Sequence, residues 1–362
     1  MLASFPKLVK SLLKQLPPHD YPVLNSRPFF EIWLTFVLHH GLNSMRGLFY
    51  HLNHSGISVD ISSFSKACKT RQDQYFCRIY MELIQKLRRK NPTEARMLFS
   101  IDSTVVTLMS KLFWRQSYDQ VKLLNGINLA QKNSSECLIH FGQAHDAKFA
   151  DSVIGMIPDH AVGIMDRGFA SWEFLDPMIQ TQTLFVVRIK NNMRVELEHQ
   201  RYRVVWFCDL ESRSEYRLAT NLADMTNEEV SEIYRQRWQI ELLWKFLKMH
   251  LKLDQLITKS VNGVRLQIYM VLIAYLILEL MEIPAYYGHR LLDIAPISLV
   301  WYNVREYATF VRIVRHPRQS RWLNECDRLK GGCPRRGLLP QFLELSSFIG
   351  NVLFTDVALD SF

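Results

Sequence analysis

The chain has 362 residues, 48% of them hydrophobic and 22% charged, enough to bury a large core and too many for one minimal domain. Its six cysteines, Cys68, Cys77, Cys137, Cys208, Cys326 and Cys333, are scattered and stand at no zinc-ligand spacing, which argues against a metal ribbon and for free thiols in a reducing cytosol. The net charge of +9 is uneven: residues 1–90 hold thirteen Lys/Arg against five Asp/Glu, residues 251–362 thirteen against ten, and the middle is left at −2. That distribution fits a polyanion-binding arm joined to a centre that gathers carboxylates, and a generically basic protein accounts for it equally well.

Residues 1–93 read as helical, beginning without the apolar core and cleavage site of a signal peptide. An aromatic-rich helix over 29–39 is followed by a second helix over 45–56, ended by Gly56, and a third from about Ser62. Helix, Gly-containing turn, then a helix bearing Lys66, Lys69 and Arg71 is the pattern of a helix-turn-helix DNA-binding domain. Arg88-Arg89-Lys90-Asn91-Pro92 reads as a linker. The pattern then changes. Residues 97–101 form a short apolar strand closing on Asp102, and 121–129 and 136–141 follow as strands of an antiparallel meander. A helix near 151–156 precedes an apolar strand over 161–165 that ends on Asp166; Ser171 is placed to cap the next helix, and 184–190 is a fifth strand. Residues 201–209 and 216–221 read as strands of a small β insertion, assigned to 191–223.

A long helix is expected over 226–250. Thr226 and Glu229 have capping-box spacing, and no Gly or Pro interrupts the rest of the segment. At about 100° per residue, Tyr234, Arg237, Glu241 and Lys248 fall within an arc of roughly 60°, with Ile240, Leu243, Phe246 and Leu247 opposite. A solvated stripe with an Arg237–Glu241 pair would look the same. The apolar run over 268–278 is too short to span a bilayer and suits a buried helix, so no membrane is expected. Residues 284–362 are expected to be mostly helical.

Asp is depleted in strands, yet Asp102 and Asp166 each close one, at strand ends where separate segments converge. With Glu241 they make three carboxylates, which repel one another unless a divalent cation neutralises them. Mg²⁺ takes such oxygen ligands, and a pair of ions suits phosphodiester displacement. Arg237 and Lys248 would hold flanking phosphates, one as a fork and one as a point charge. His145-Asp146 is read as a helix start and given no role.

Tyr234-x2-Arg237-x3-Glu241-x6-Lys248, with Asp102 in SIDST and Asp166 in MDRGF, resembles the Y-R-E-K signature and paired aspartates of the DDE transposases of insertion sequence family four. The resemblance covers about residues 95–283. It implies an α/β, RNase H-like mixed sheet, split as 94–190 and 224–283 around the β insertion, and a helical DNA-binding domain before it. It further implies Mg²⁺-dependent cut-and-paste transposition, with Mn²⁺ as a substitute, on double-stranded DNA at transposon ends and target. A dimer on paired ends, in the cytoplasm on nucleoid DNA, goes with that activity. Asp102, Asp166 and Glu241 become catalytic metal ligands, and Tyr234, Arg237 and Lys248 become contacts to end-proximal phosphates. Trp206 is the candidate for stacking on a flipped base. Two alternatives stay open at this point: an RNase H-like endonuclease without strand transfer, and a catalytically silent transposase-derived DNA-binding protein.

Overall fold

The computed structural model describes residues 4–17, 24–90 except 40, 55 and 57, 97–109, 118–129, 134–191, 193, 202–209 and 214–280. The region 284–362 lies outside them, as do the middle of the linker and parts of the insertion. The chain divides into two units, one containing the helix α1 (Ser4–Leu13) and the other spanning residues 15–295. The second unit holds the sheet and the remaining helices.

Four helices open it: α2 (Ser26–Leu38), α3 (Met45–His54), α4 (Ile61–Thr70) and α5 (Gln74–Lys90). Their aromatic side chains lock together, with the Phe64 ring 5.4 Å from Phe29, 5.2 Å from Trp33 and 5.3 Å from Phe49. Tilted and edge-on rings at these distances add to what burial alone contributes. Asp60 caps α4 by accepting from the amides of Ser62 and Ser63.

The sheet has seven strands: β1 (Leu98–Thr107), β2 (Gln120–Asn128), β3 (Leu138–Phe141), β4 (Val162–Met165), β5 (Leu184–Arg188), β6 (Arg203–Asp209) and β7 (Ser214–Thr220). Their order across the sheet is β3-β2-β1-β4-β5-β7-β6. β1, β2 and β3 are antiparallel; β4 and β5 run parallel to β1; and β7 pairs antiparallel with both β5 and β6. The architecture is therefore mixed α/β. The β6–β7 hairpin continues the same sheet rather than standing apart from it.

One correction concerns β1, which does not end at Asp102. It runs on to Thr107 because β2 pairs with it without interruption from Phe99 to Thr107.

Each sheet face buries its own core. Phe99, Ile101, Leu124, Met165 and Val187 point to one side with α6 (Ala150–Met156) and α7 (Trp172–Gln180). Val162, Ile164, Val186 and Leu218 point to the other, under Val230, Ile233 and Tyr234 of α8 (Asn227–Arg235). The alternation follows from the two-residue period of a strand.

The long helix expected over 226–250 is in fact two, α8 and α9 (Trp238–Leu251). Between them the hydrogen bonds tighten to i−3, from Arg237 N–H to Tyr234 O, Gln239 N–H to Gln236 O and Ile240 N–H to Arg237 O. The capping box at its start is present in full: Thr226 N–H donates to Glu229 Oε2 at 2.8 Å, and Glu229 N–H to Thr226 Oγ1 at 3.2 Å. Ser171 occupies the N-cap position of α7, but its hydroxyl makes no capping bond.

Last comes α10 (Val261–Leu280), longer than the apolar run that foretold it. By length and composition it could cross a membrane, yet 83% of its apolar window is buried within the protein, where it packs on α2, α4, α5 and α9.

Candidate active site

The site begins where two strands part. β1 pairs with β4 only from Leu98 to Ser100, against Val162 to Ile164. Asp102 lies just beyond the last paired residue, still held opposite Asn125 of β2, and Asp166 is the first residue after β4. Two carboxylates thus flank a cleft that backbone topology creates.

The turn after Asp166 is shaped by its own side chain, whose Oδ1 accepts from Gly168 N–H at 2.7 Å, while Phe169 is fully buried and anchors the turn. A Cβ at Gly168 would come within 2.9 Å of Asp166 Oδ1, so a larger residue there would require that carboxylate to shift.

The third carboxylate, Glu241, stands in the first turn of α9, over the same sheet face that Asp102 shares with Ser100. Ser100 Oγ donates to Arg237 O at 3.4 Å, and Lys248 Nζ donates to Val105 O at 3.2 Å, so both ends of this helix stretch are tied to β1. Glu241 accepts from the Arg237 guanidinium, which is itself only 14% exposed.

The surroundings of Asp102 act on its carboxyl. Burial pushes the Asp102 carboxyl up to about 7; Arg237 opposes this, and Asp166 and Glu241 add to it. Arg237 is raised: burial works against it, but Tyr234, Glu241 and Asp102 outweigh that. Among the described residues, no three His, Cys, Asp or Glu side chains are drawn closely enough together to hold a metal ion, and Glu241 is turned onto Arg237. The donor types nevertheless suit a hard dication: three carboxylates, an excess of negative charge, and one buried arginine offsetting it.

The remaining expected residues divide. Tyr234 is not on an open stripe. It is 6% exposed, its ring 6.4 Å from Phe207 and 6.1 Å from Tyr216, because the tightened turn at 236–240 breaks the helical phase and an apolar sheet face receives it. Burial raises its phenol, and the nearby charges of Arg237, Arg188 and Asp166 bear on it. Trp206, on edge strand β6, is 62% exposed, with the Arg217 guanidinium 4.8 Å from its ring centroid. Lys66 and Lys69 are exposed on α4.

Arg71 must be withdrawn from that basic face. Its side chain turns inward, donates to the carbonyls of Leu24 and Asn25, and stacks 4.1 Å over Phe29.

Two features went unread in the sequence. Arg188, at the end of β5, lies 4.3 Å over Tyr216 and brings another cation beside Tyr234. A basic residue closing an apolar strand next to the Asp166 strand was the available signal. Asp146 does not cap a helix: it opens a 3-10 turn (Asp146–Phe149), and its carboxylate is paired with Lys122.

Comparison with known proteins shows the family. The family model described as a transposase DDE domain matches residues 94–277. A protein of Synechocystis sp., described as a transposase for insertion sequence element IS4SA, is 42% identical over 315 residues, covering 81% of this chain and 93% of its own. The Sinorhizobium fredii transposase y4zB is 28% identical, covering 57% of this chain and 67% of its own. A Geobacillus stearothermophilus transposase for element IS5377 is 25% identical, covering 60% and 66%. The piggyBac transposase in a cryo-EM synaptic complex with hairpin DNA overlays on 94% of this chain and 77% of its own at a TM-score of 0.46 and 13% identity, too loosely to carry a claim. With half of the chain matched by the domain and most of it by a relative at this identity, the chain belongs to the DDE-type transposases of insertion sequences.

Proposed function

We propose that this transposase binds the terminal inverted repeats of its own element and carries out metal-dependent cleavage and strand transfer at Asp102, Asp166 and Glu241. The observation behind this reading is Asp102. It sits where β1 leaves β4, and Asp166 and Glu241 lie near enough to add to the rise that burial imposes on its carboxyl. Like charges gathered in this way are costly unless something positive is meant to join them.

The group they would hold is a divalent metal, Mg²⁺ with Mn²⁺ as a substitute, in a pair between the three carboxylates. When bound, it neutralises that charge and activates the attacking water or 3′-hydroxyl. The rest falls to the chain. Asp102 would serve as a ligand in its carboxylate form. Arg237, mostly buried beside Tyr234, offers a planar fork to a phosphate, and Lys248 and Arg188 offer point and planar charge.

Further elements of the proposal follow from placement. The strand order β3-β2-β1-β4-β5, with its first three strands antiparallel and the others parallel, supports an RNase H-like core. Lys66 and Lys69 are assigned to end recognition within a DNA-binding region 1–93, and exposed Trp206 to stacking on an unpaired base. Two protomers on paired ends, acting on double-stranded DNA in the cytoplasm, complete the reading.

The test is Glu241→Gln. It removes a ligand charge with almost no change of shape, so Mg²⁺-dependent cleavage of an end oligonucleotide should be lost while binding of that oligonucleotide persists. Retained cleavage would exclude Glu241 from the chemistry.

A further inference from the structure

Asp146 has no part in the reaction described above, yet its carboxylate is held in an ion pair beside the Asp166 turn. Lys122 projects from β2 and is 8% exposed. Its ammonium donates to Ala144 O at 2.5 Å and to Asp146 Oδ1 at 2.9 Å. A lysine this buried is tolerated only when paired, so the segment carrying Asp146 is pinned to the sheet by that bond.

The other oxygen of Asp146 faces Gly168. A Cβ at Gly168 would lie 3.0 Å from Asp146 Oδ2 and 2.9 Å from Asp166 Oδ1. Gly168 is therefore wedged between two carboxylates. One of them, Asp166, takes the Gly168 N–H; the other is neutralised from behind by Lys122.

We propose that the Lys122–Asp146 ion pair is a positioning device for Asp166, an inference that rests on Asp166 being a metal ligand. Asp146 walls one side of the Asp166–Gly168 turn and keeps the Gly168 N–H aimed at Asp166 Oδ1, which leaves Asp166 Oδ2 as the oxygen presented to the cleft. Lys122 makes this arrangement tolerable. Without its ammonium, Asp146 would be an unpaired anion next to Asp166, repelling it and competing for the same cation. Groups that orient a ligand in this way typically change metal affinity by about 10–100-fold when removed.

The experiment is Mn²⁺ binding to the full-length chain without DNA, read by the electron paramagnetic resonance signal of free Mn²⁺, with thermal unfolding measured in parallel. In Asp146→Ala, half-saturation should require about tenfold more Mn²⁺. Lys122→Met should be impaired as well, and combining it with Asp146→Asn should restore part of the loss, because the stranded anion is then gone. Because the two side chains touch, non-additivity in unfolding alone would be ordinary; the telling result is non-additivity in Mn²⁺ affinity. If Asp146→Ala does not fold, the Lys122→Met single and its double with Asp146→Asn carry the test. Wild-type-like Mn²⁺ affinity in the folded variants, or strictly additive losses, would overturn the proposal while leaving the site reading intact. If the wild-type chain itself bound no Mn²⁺ that Glu241→Gln weakens, both would fall.

Discussion

Two basic side chains show how little charge alone reveals about role. Arg71 follows directly on Lys66 and Lys69 in sequence, but it sits just past the end of α4, where its guanidinium finds the carbonyls of Leu24 and Asn25. Neutralising Lys66 and Lys69 to Gln should weaken binding of end DNA and flatten its dependence on salt, with unfolding unchanged. Arg71→Ala should instead lower stability by about 1–3 kcal/mol in denaturant unfolding, since a buried charged donor is lost from two acceptors. An equal salt-slope effect from all three would return Arg71 to the recognition face. Lys252 behaves like Arg71. It ends α9 in the left-handed region at φ 59°, and its ammonium donates to Phe36 O at 2.9 Å and to the carbonyls of His39 and Leu42. Burial pulls its pKa down to about 8, below the 10.5 of a free lysine. Between those values the unfolded chain keeps a proton that the folded chain releases, so this residue's contribution makes stability rise with pH; below about pH 8 both states are protonated and the burial penalty is present in full. Lys252→Met should lose that rise, as followed by denaturant midpoints from pH 7 to pH 10. Nothing in the sequence distinguishes such a lysine from a surface one, since its three acceptors lie over two hundred residues away.

Elements were more legible than their ends. The T-x-x-E spacing at Thr226 predicts a capping box, and both reciprocal bonds are there, because this cap depends only on four consecutive residues. Thr226→Ala should therefore cost about 1 kcal/mol, visible as a lowered denaturant midpoint, and a neutral result would mean that tertiary packing alone holds α8. The break ten residues later left no such mark. Gln236 and Arg237 keep helical dihedrals, so no Gly or Pro was needed, and the tightening comes from Arg237 O meeting Ser100 of β1 while Tyr234 settles between Phe207 and Tyr216. A contact with a strand more than a hundred residues earlier is not a local signal. β1 is the same case in reverse: the polar run Asp102-Ser103-Thr104 reads as a strand end, yet pairing with β2 carries it through. The expectation for the three carboxylates does not depend on these points. Their placement depends on strand order and helix position, whereas only the orientation of Tyr234 depended on helical phase.

At the scale of the second unit, helices α2, α4 and α5 pack on the last helix of the described chain, which a division of the chain at residue 93 does not suggest. α10 follows the helix that carries Glu241 and Lys248, yet it is α2, α4 and α5 that bury it. Polar ties cross the same boundary. Asn262 Nδ2 donates to Cys68 O at 2.8 Å and to Arg71 O at 2.7 Å, Lys90 Nζ to Leu280 O at 2.9 Å, and Tyr80 OH to Ser135 O at 2.6 Å. A chain starting at residue 94 would lose all of these and uncover one flank of a helix whose residues Ile268 to Leu278 are all buried. Each large apolar side chain returned to water costs about 1.5–3 kcal/mol, against a total folding stability of about 5–15 kcal/mol for an ordinary domain. Uncovering several exceeds what a core of this kind has in reserve. The 94–362 fragment should accordingly aggregate or bind a hydrophobic dye strongly and unfold without a sharp transition, and it should show no end cleavage even though Asp102, Asp166 and Glu241 are all present. A soluble fragment with a cooperative melt would mean that the two parts fold independently. The expected outcome would instead tie recognition to catalysis in physical terms, since α4, which bears Lys66 and Lys69, packs on α10, and α10 in turn packs on the Glu241 helix α9.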